Sequence, residues 1–157
     1  MIAWDNWTSV EPLKMAGAEP NLSWSLHPQL ARDCLVLGDL PLCRALLMND
    51  ANYPWLVLVP RRPGMVEIID LDEADQIRLM REIAQVAGAL KAVTGCDKLN
   101  IAALGNAVPQ LHVHVIARFR SDPAGPHPIW GKVPARAYQP NERERLMQVL
   151  RAEIALG

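Results

Sequence analysis

Residues 109–120 read Pro-Gln-Leu-His-Val-His-Val-Ile-Ala-Arg-Phe-Arg, with polar and apolar side chains alternating over most of the stretch. A period of two belongs to an extended strand; wound as a helix, the segment would mix both kinds of side chain on every face. The alternation predicts a half-buried β-strand. Gln110, His112, His114, Ile116, Arg118 and Arg120 then project to one side, and Leu111, Val113, Val115, Ala117 and Phe119 to the other. Same-face neighbours on a strand have Cα atoms about 6.5–7 Å apart, so the two imidazoles can meet one small polar group.

The rest of the chain supplies partners for such a strand. Apolar runs at 43–48 and 55–59 flank Asn49-Asp50-Ala51-Asn52-Tyr53-Pro54, which is rich in turn formers. The connection is too short for a crossover, so the pair is an antiparallel hairpin. Arg61-Arg62-Pro63-Gly64 reads as a turn with its arginines at the surface, and 65–69 as a further short strand. Asp70 and Glu73 have capping-box spacing, and Gly95 is a natural stop. A helix is therefore expected over about 70–94, with Ile77, Met80, Ile83, Val86, Leu90 and Val93 in its core stripe. Residues 98–104 read as a strand that Gly105-Asn106-Ala107-Val108-Pro109 turns back into the histidine strand, bringing Asn100 near the imidazoles.

Residues 27–34 suit a short helix with His27 as cap and Pro28 in its first position. Residues 1–26 carry Trp4, Trp7 and Trp24 without a clean period and read as an N-terminal arm ahead of a single domain, 27–157. Past Arg120, Pro123, Pro126, Pro128 and Pro134 make a loop or wrap in which Trp130 serves as packing. Residues 141–156 form an amphipathic helix with Leu146, Val149, Leu150 and Ile154 inward. Hairpin connections outnumber crossovers, so the fold class is α+β: a mainly antiparallel sheet of about five strands, one long helix and a C-terminal helix.

The net charge of −1 gives no global basic field for nucleic acid. Cys34, Cys43 and Cys96 are an odd number without close pairing, which points to a reducing cytoplasm and away from a disulfide framework. No apolar run approaches the roughly 20 residues of a membrane span, and the N-terminal stretch, with Asp5 and Glu11, lacks a leader pattern.

Three readings of the imidazole pair remain open on the residues alone. It is the polar side of an amphipathic sheet; or it offers two metal ligands, for which only His127, Asp50 and Asp122 are loose candidates as a third; or it performs nucleophilic chemistry. Neutral imidazole attacks phosphorus readily, and the resulting P–N bond breaks easily once protonated. That chemistry needs an acceptor to set the tautomer and donors around the phosphate oxygens. His114, Gln110, Asn100 and backbone N–H groups of the Gly105 turn are available.

The run Gln110-Leu111-His112-Val113-His114-Val115-Ile116 resembles the histidine triad motif, His-φ-His-φ-His-φ-φ with φ apolar. The order of elements around it is similar too, from about residue 35 to 119: Asn49 ending an apolar strand, a strand finishing Leu58-Val59-Pro60, a long helix, Asn100 and the Gly105 turn. The resemblance is to the bacterial branch of the histidine triad (HIT) family. It implies a metal-independent hydrolase or transferase acting at the α-phosphate of a nucleotide conjugate, with no cofactor, as a homodimer. It implies His112 as nucleophile, His114 as phosphate ligand and leaving-group support, Asn49 near the ribose, and Asn100 with Asn106 near the phosphates. Gln110 stands where the first triad histidine is expected and cannot carry its charge, which implies weaker binding of a dianionic group unless Arg118 or Arg120 compensates. Ala107 lacks the hydroxyl that many relatives place in this turn. The alternatives are a nucleotide-binding protein with little turnover and a metal-dependent hydrolase using His112 and His114 as ligands.

Overall fold

The computed structural model describes residues 23–156. In chain order these form α1 (Pro28–Asp33), β1 (Cys34–Asp39), β2 (Cys43–Met48), β3 (Trp55–Pro60), a 3-10 turn (Ile68–Asp70), α2 (Glu73–Thr94), β4 (Lys98–Ala102), β5 (Val113–Arg118) and α3 (Pro140–Ile154). The strands make one antiparallel sheet in the order β1-β2-β3-β5-β4. The expected α+β class is present, and so is the 43–48/55–59 hairpin. The strand expected at 65–69 is absent. The fifth strand is β1, at the edge beside β2, and 65–70 closes instead into a turn in which the Asp70 carboxylate accepts from the Val66 and Glu67 N–H groups.

The histidine strand is central rather than half-buried, and residues 111–118 are buried on both faces. Its two faces nonetheless belong to different clusters, as the alternation requires. Leu111, Val113, Val115 and Ala117 join the main core under α2 and α3, with Leu79, Ile83, Val86, Leu90, Leu150 and Ile154. Ile116 joins a second cluster on the opposite face with Leu30, Leu46, Tyr53, Trp55 and Ile129. Strand β3 is likewise covered on both sides, which is why it reads as an uninterrupted apolar run.

Helix α2 starts two residues later than the spacing of Asp70 and Glu73 suggests. Asp72 is the cap, its carboxylate accepting from the Asp75 N–H at 2.8 Å, and Gly95 ends the helix at φ 64°. The expected stripe is only partly inward. Ile83, Val86 and Leu90 are buried, but Ile77 is 49% and Met80 65% exposed, and Leu79 and Glu82 point inward instead. Likewise, α3 buries Leu150 and Ile154 but leaves Val149 exposed and Leu146 half-buried.

Glu82 shows why a charged residue can belong inside. Its two carboxylate oxygens accept from the Leu42 and Cys43 N–H groups at 2.7 and 2.8 Å, closing the turn into β2. Arg62 makes a two-pronged pair with buried Asp75, and Arg61 donates to the Leu40 and Pro41 carbonyls. Neither is the free surface charge expected of it. On the outer strand β1, a bulge at Leu37 turns two carbonyls outward, and Arg151 of α3 donates to both Val36 and Leu37. Gly38 lets the chain after α3 approach: a Cβ there would lie 3.2 Å from that of Leu156.

Of the expected N-terminal arm, Trp24 and Leu26 pack on the second cluster, with the Arg44 guanidinium 5.0 Å from the Trp24 ring. Trp4 and Trp7 lie outside the described residues.

Candidate active site

His112 and His114 project from the sheet face opposite α2, with ring centroids 4.8 Å apart and planes nearly perpendicular. The segment after β5 covers them. Residues 121–139 run back across this face as a proline-rich strap, and Trp130 meets His114 edge-on at 5.5 Å and Trp55 at 5.9 Å. His112 keeps 6% of its surface exposed and His114 5%.

Two networks fasten the strap. At its start, Arg118 forks onto Asp122 at 2.6 and 3.1 Å, donates to the Asn100 side-chain oxygen at 2.7 Å and reaches the Gly125 carbonyl at 2.7 Å. Further along, Asp50 accepts from the Arg136 N–H, Asn52 donates to the Pro134 carbonyl, and the Asn49 side chain accepts from the Tyr138 N–H. The wrap read from the prolines is therefore an ordered cover. Asn49, Asn100 and Arg118 have side-chain bonds within it.

Each imidazole has a partner that dictates its tautomer. The His112 Nδ1 lies 2.7 Å from the Gln110 backbone carbonyl. A carbonyl only accepts, so Nδ1 carries the hydrogen and Nε2 holds the lone pair. The Trp55 indole N–H lies 3.0 Å from the His114 Nδ1. An indole N–H only donates, so His114 carries its hydrogen on Nε2. One ring thus offers a nucleophilic nitrogen and its neighbour a donor. Trp55 was not singled out from the sequence. A tryptophan opening a strand directly after a turn is ordinary packing there, and its facing position appears only once Trp55 pairs with Ile116 in the β3–β5 register.

Both rings are held neutral. Burial lowers the His112 pKa, as does the charge on His27, against a rise from the Gln110 carbonyl. Burial, with the His112 charge behind it, pushes His114 down to about 3. An unfolded chain protonates its histidines below about pH 6.5. The unfolded state therefore binds more protons between about pH 6.5 and 3, and stability is lost on acidification through that window. Its slope is about 1.4 kcal/mol per pH unit for each group fully engaged. His114→Gln, which keeps an acceptor for Trp55, is expected to shed about that much slope in urea unfolding between pH 6 and 4; an equally steep decline in the variant refutes the assignment.

Gln110 turns its side chain to the segment before α1. Asn106 is exposed in the turn that contains Gly105. Asn100 is on the imidazole face, paired in register with Ile116. Arg120 lies beyond the end of β5, exposed, 4.0 Å from Asp97. Between β4 and the strap is an open cavity of about 420 Å³ lined by Asn100, Arg118, His127 and Trp130. Among the described residues, no cluster of three or more His, Cys, Asp or Glu side chains is placed to hold a metal. Cys34, Cys43 and Cys96 are free and buried. No described helix is long and apolar enough to cross a membrane.

An antiparallel sheet with a long helix on one face and two imidazoles of opposite tautomer under a strap on the other defines an α+β protein with a sheltered imidazole site. The chain belongs to the HIT family: the HIT domain model matches residues 29–121. Solved structures agree. A histidine triad protein from Bradyrhizobium japonicum is 57% identical, with 84% of this chain and 98% of that one covered and a TM-score of 0.83. One from Sinorhizobium meliloti is 43% identical over 83% and 96%, with a TM-score of 0.81. One from Marinobacter aquaeolei is 42% identical over 85% and 97%, with a TM-score of 0.83. Comparison with curated proteins gave no match.

Proposed function

We propose that this protein hydrolyses nucleotide conjugates, such as nucleoside phosphoramidates or dinucleoside polyphosphates, through a nucleotidyl group carried on His112. Family membership supports the class, and the opposite tautomers of His112 and His114 carry the assignment of roles. The His112 Nε2 lone pair attacks the α-phosphorus, a P–N bond forms, and the bond to the leaving group breaks with its electron pair going to that group, which takes up a proton from solvent that the attacking water of the second step gives back. The His114 Nε2–H donates to a phosphate oxygen as negative charge gathers there. Water then attacks the same phosphorus, the P–N bond breaks with its electron pair returning to His112, and a nucleoside monophosphate departs. With both rings so little exposed, phosphate reaches them as the cover around Trp130 gives way.

The test incubates the purified chain with adenosine 5′-phosphoramidate and with diadenosine polyphosphates, with and without a strong chelator. Expected are AMP release indifferent to the chelator and an acid-labile adduct of one nucleotidyl mass. Tight AMP binding without release supports the second reading, a nucleotide-binding protein with little turnover. The observation favouring that alternative is the engagement of the Gln110 amide away from the imidazoles.

We further propose that a second copy pairs across the edge of β4 that no other described strand occupies. Ile101 of that strand is 50% exposed on the α2 side of the sheet, and Ile77 and Met80 of α2 are exposed as well. An unpaired edge flanked by apolar side chains is a template for another strand. Light scattering is expected to give a dimer that Ile101→Lys converts to monomer; a monomeric wild-type chain at micromolar concentration refutes the pairing.

A further inference from the structure

A phosphate anion needs donors around its oxygens, and two of the side chains expected to supply them, Arg118 and Gln110, are engaged elsewhere. Arg118 gives four hydrogen bonds to Asp122, Asn100 and Gly125. Gln110 accepts the His27 N–H at 2.8 Å on its side-chain oxygen and donates its amide nitrogen to the Ser25 carbonyl at 2.9 Å. The side chain at the start of the histidine strand is thus a clamp on the segment that leads into α1.

The clamp holds an imidazole. His27 caps α1, its Nδ1 accepting from the Gln29 N–H at 3.1 Å. An accepting Nδ1 places the ring hydrogen on Nε2, the nitrogen that faces away from the helix it caps. The ring is half-buried rather than sealed. Gln110 joins it to the nucleophile: the side chain holds the His27 backbone, and the main-chain carbonyl of the same residue orients His112. His27 is also near enough for its charge to be felt at His112.

We infer that His27 is a phosphate-binding residue of this site, donating from Nε2 to a non-bridging oxygen, and that Gln110 is the positioning residue that holds it there. A side chain far away in sequence thereby restores a third imidazole beside His112 and His114. The inference rests on the phosphate-binding reading of the site, though not on turnover.

His27→Asn tests it while keeping a strong helix cap, and His27→Asp keeps the cap but adds a repelling charge. Full-length wild type, both variants, Gln110→Ala and the His27→Asn/Gln110→Ala double variant are compared for AMP affinity by calorimetry and for KM and kcat on adenosine 5′-phosphoramidate. His27→Asn is expected to weaken AMP binding about tenfold and raise KM comparably with a smaller change in kcat. His27→Asp weakens binding further. Gln110→Ala alone gives a loss like that of His27→Asn, and none on top of it, because it acts through the same ring. Unchanged AMP affinity in both His27 variants overturns the inference, as do losses that multiply in the double variant. A wild-type chain that binds AMP without turnover sinks only the hydrolase reading, and the binding arms still decide this one. A wild-type chain that does not bind AMP sinks both.

Discussion

His112→Asn is expected to lower kcat/KM on a nucleoside phosphoramidate by about a thousandfold or more, with the thermal midpoint little changed. The size follows from the role: a nucleophile takes part in both bond-making steps, and removing one leaves only what binding and electrostatic support can do. Asparagine retains an N–H for the Gln110 carbonyl, so the loop ahead of β5 keeps its hydrogen bond. The pH profile supplies an independent check. Burial lowers the His112 pKa, so the wild-type acid limb falls below the ordinary histidine value. Near wild-type turnover in the variant, or an acid limb centred above pH 7, would sink the assignment.

Arg118→Met is expected to cost about 3–5 kcal/mol of stability, read by urea unfolding at pH 7. The Arg118 side chain is 9% exposed and that of Asp122 2%, so removing the guanidinium leaves a carboxylate buried without its counter-charge. Asp122 also accepts from the Phe119 and Ala124 N–H groups, which tie the turn that launches the strap. Hydrogen exchange is therefore expected to quicken first in 121–139, and Trp130 to lose its edge-on contact with His114. Adding Asp122→Asn should recover part of the loss, since no bare charge then remains inside. A cost below about 1 kcal/mol would show that the bridge does not hold the cover.

Short-range order was legible from residue order. The hairpin around Asn49–Pro54 follows from turn formers between two apolar runs, and Gly95 ends α2 because it takes the left-handed conformation at little cost. The alternation of 109–120 correctly divided the strand between two faces, and the same alternation put both imidazoles together. The misreadings came where local preference met tertiary demand. Ile77 and Met80 fit a helical stripe, but the surface that covers α2 is used by Leu79 and Glu82. Residues 65–69 are apolar enough for a strand, yet the Asp70 carboxylate draws the Val66 and Glu67 N–H groups into a turn, and the fifth strand is β1, directly after α1.

The chain's local pattern therefore specified where extended segments, turns and the long helix lie, and which side of the sheet carries His112 and His114. Folding selected the partners that make those histidines chemically distinct: Trp55 for His114, the Gln110 carbonyl for His112, and Arg118 with Asp122 to anchor the strap. Periodicity and turn preference act over a few neighbouring residues and can be read in order. A hydrogen bond between Gln110 and His27 joins positions 83 apart, and it forms only once the tertiary fold has brought the two segments together.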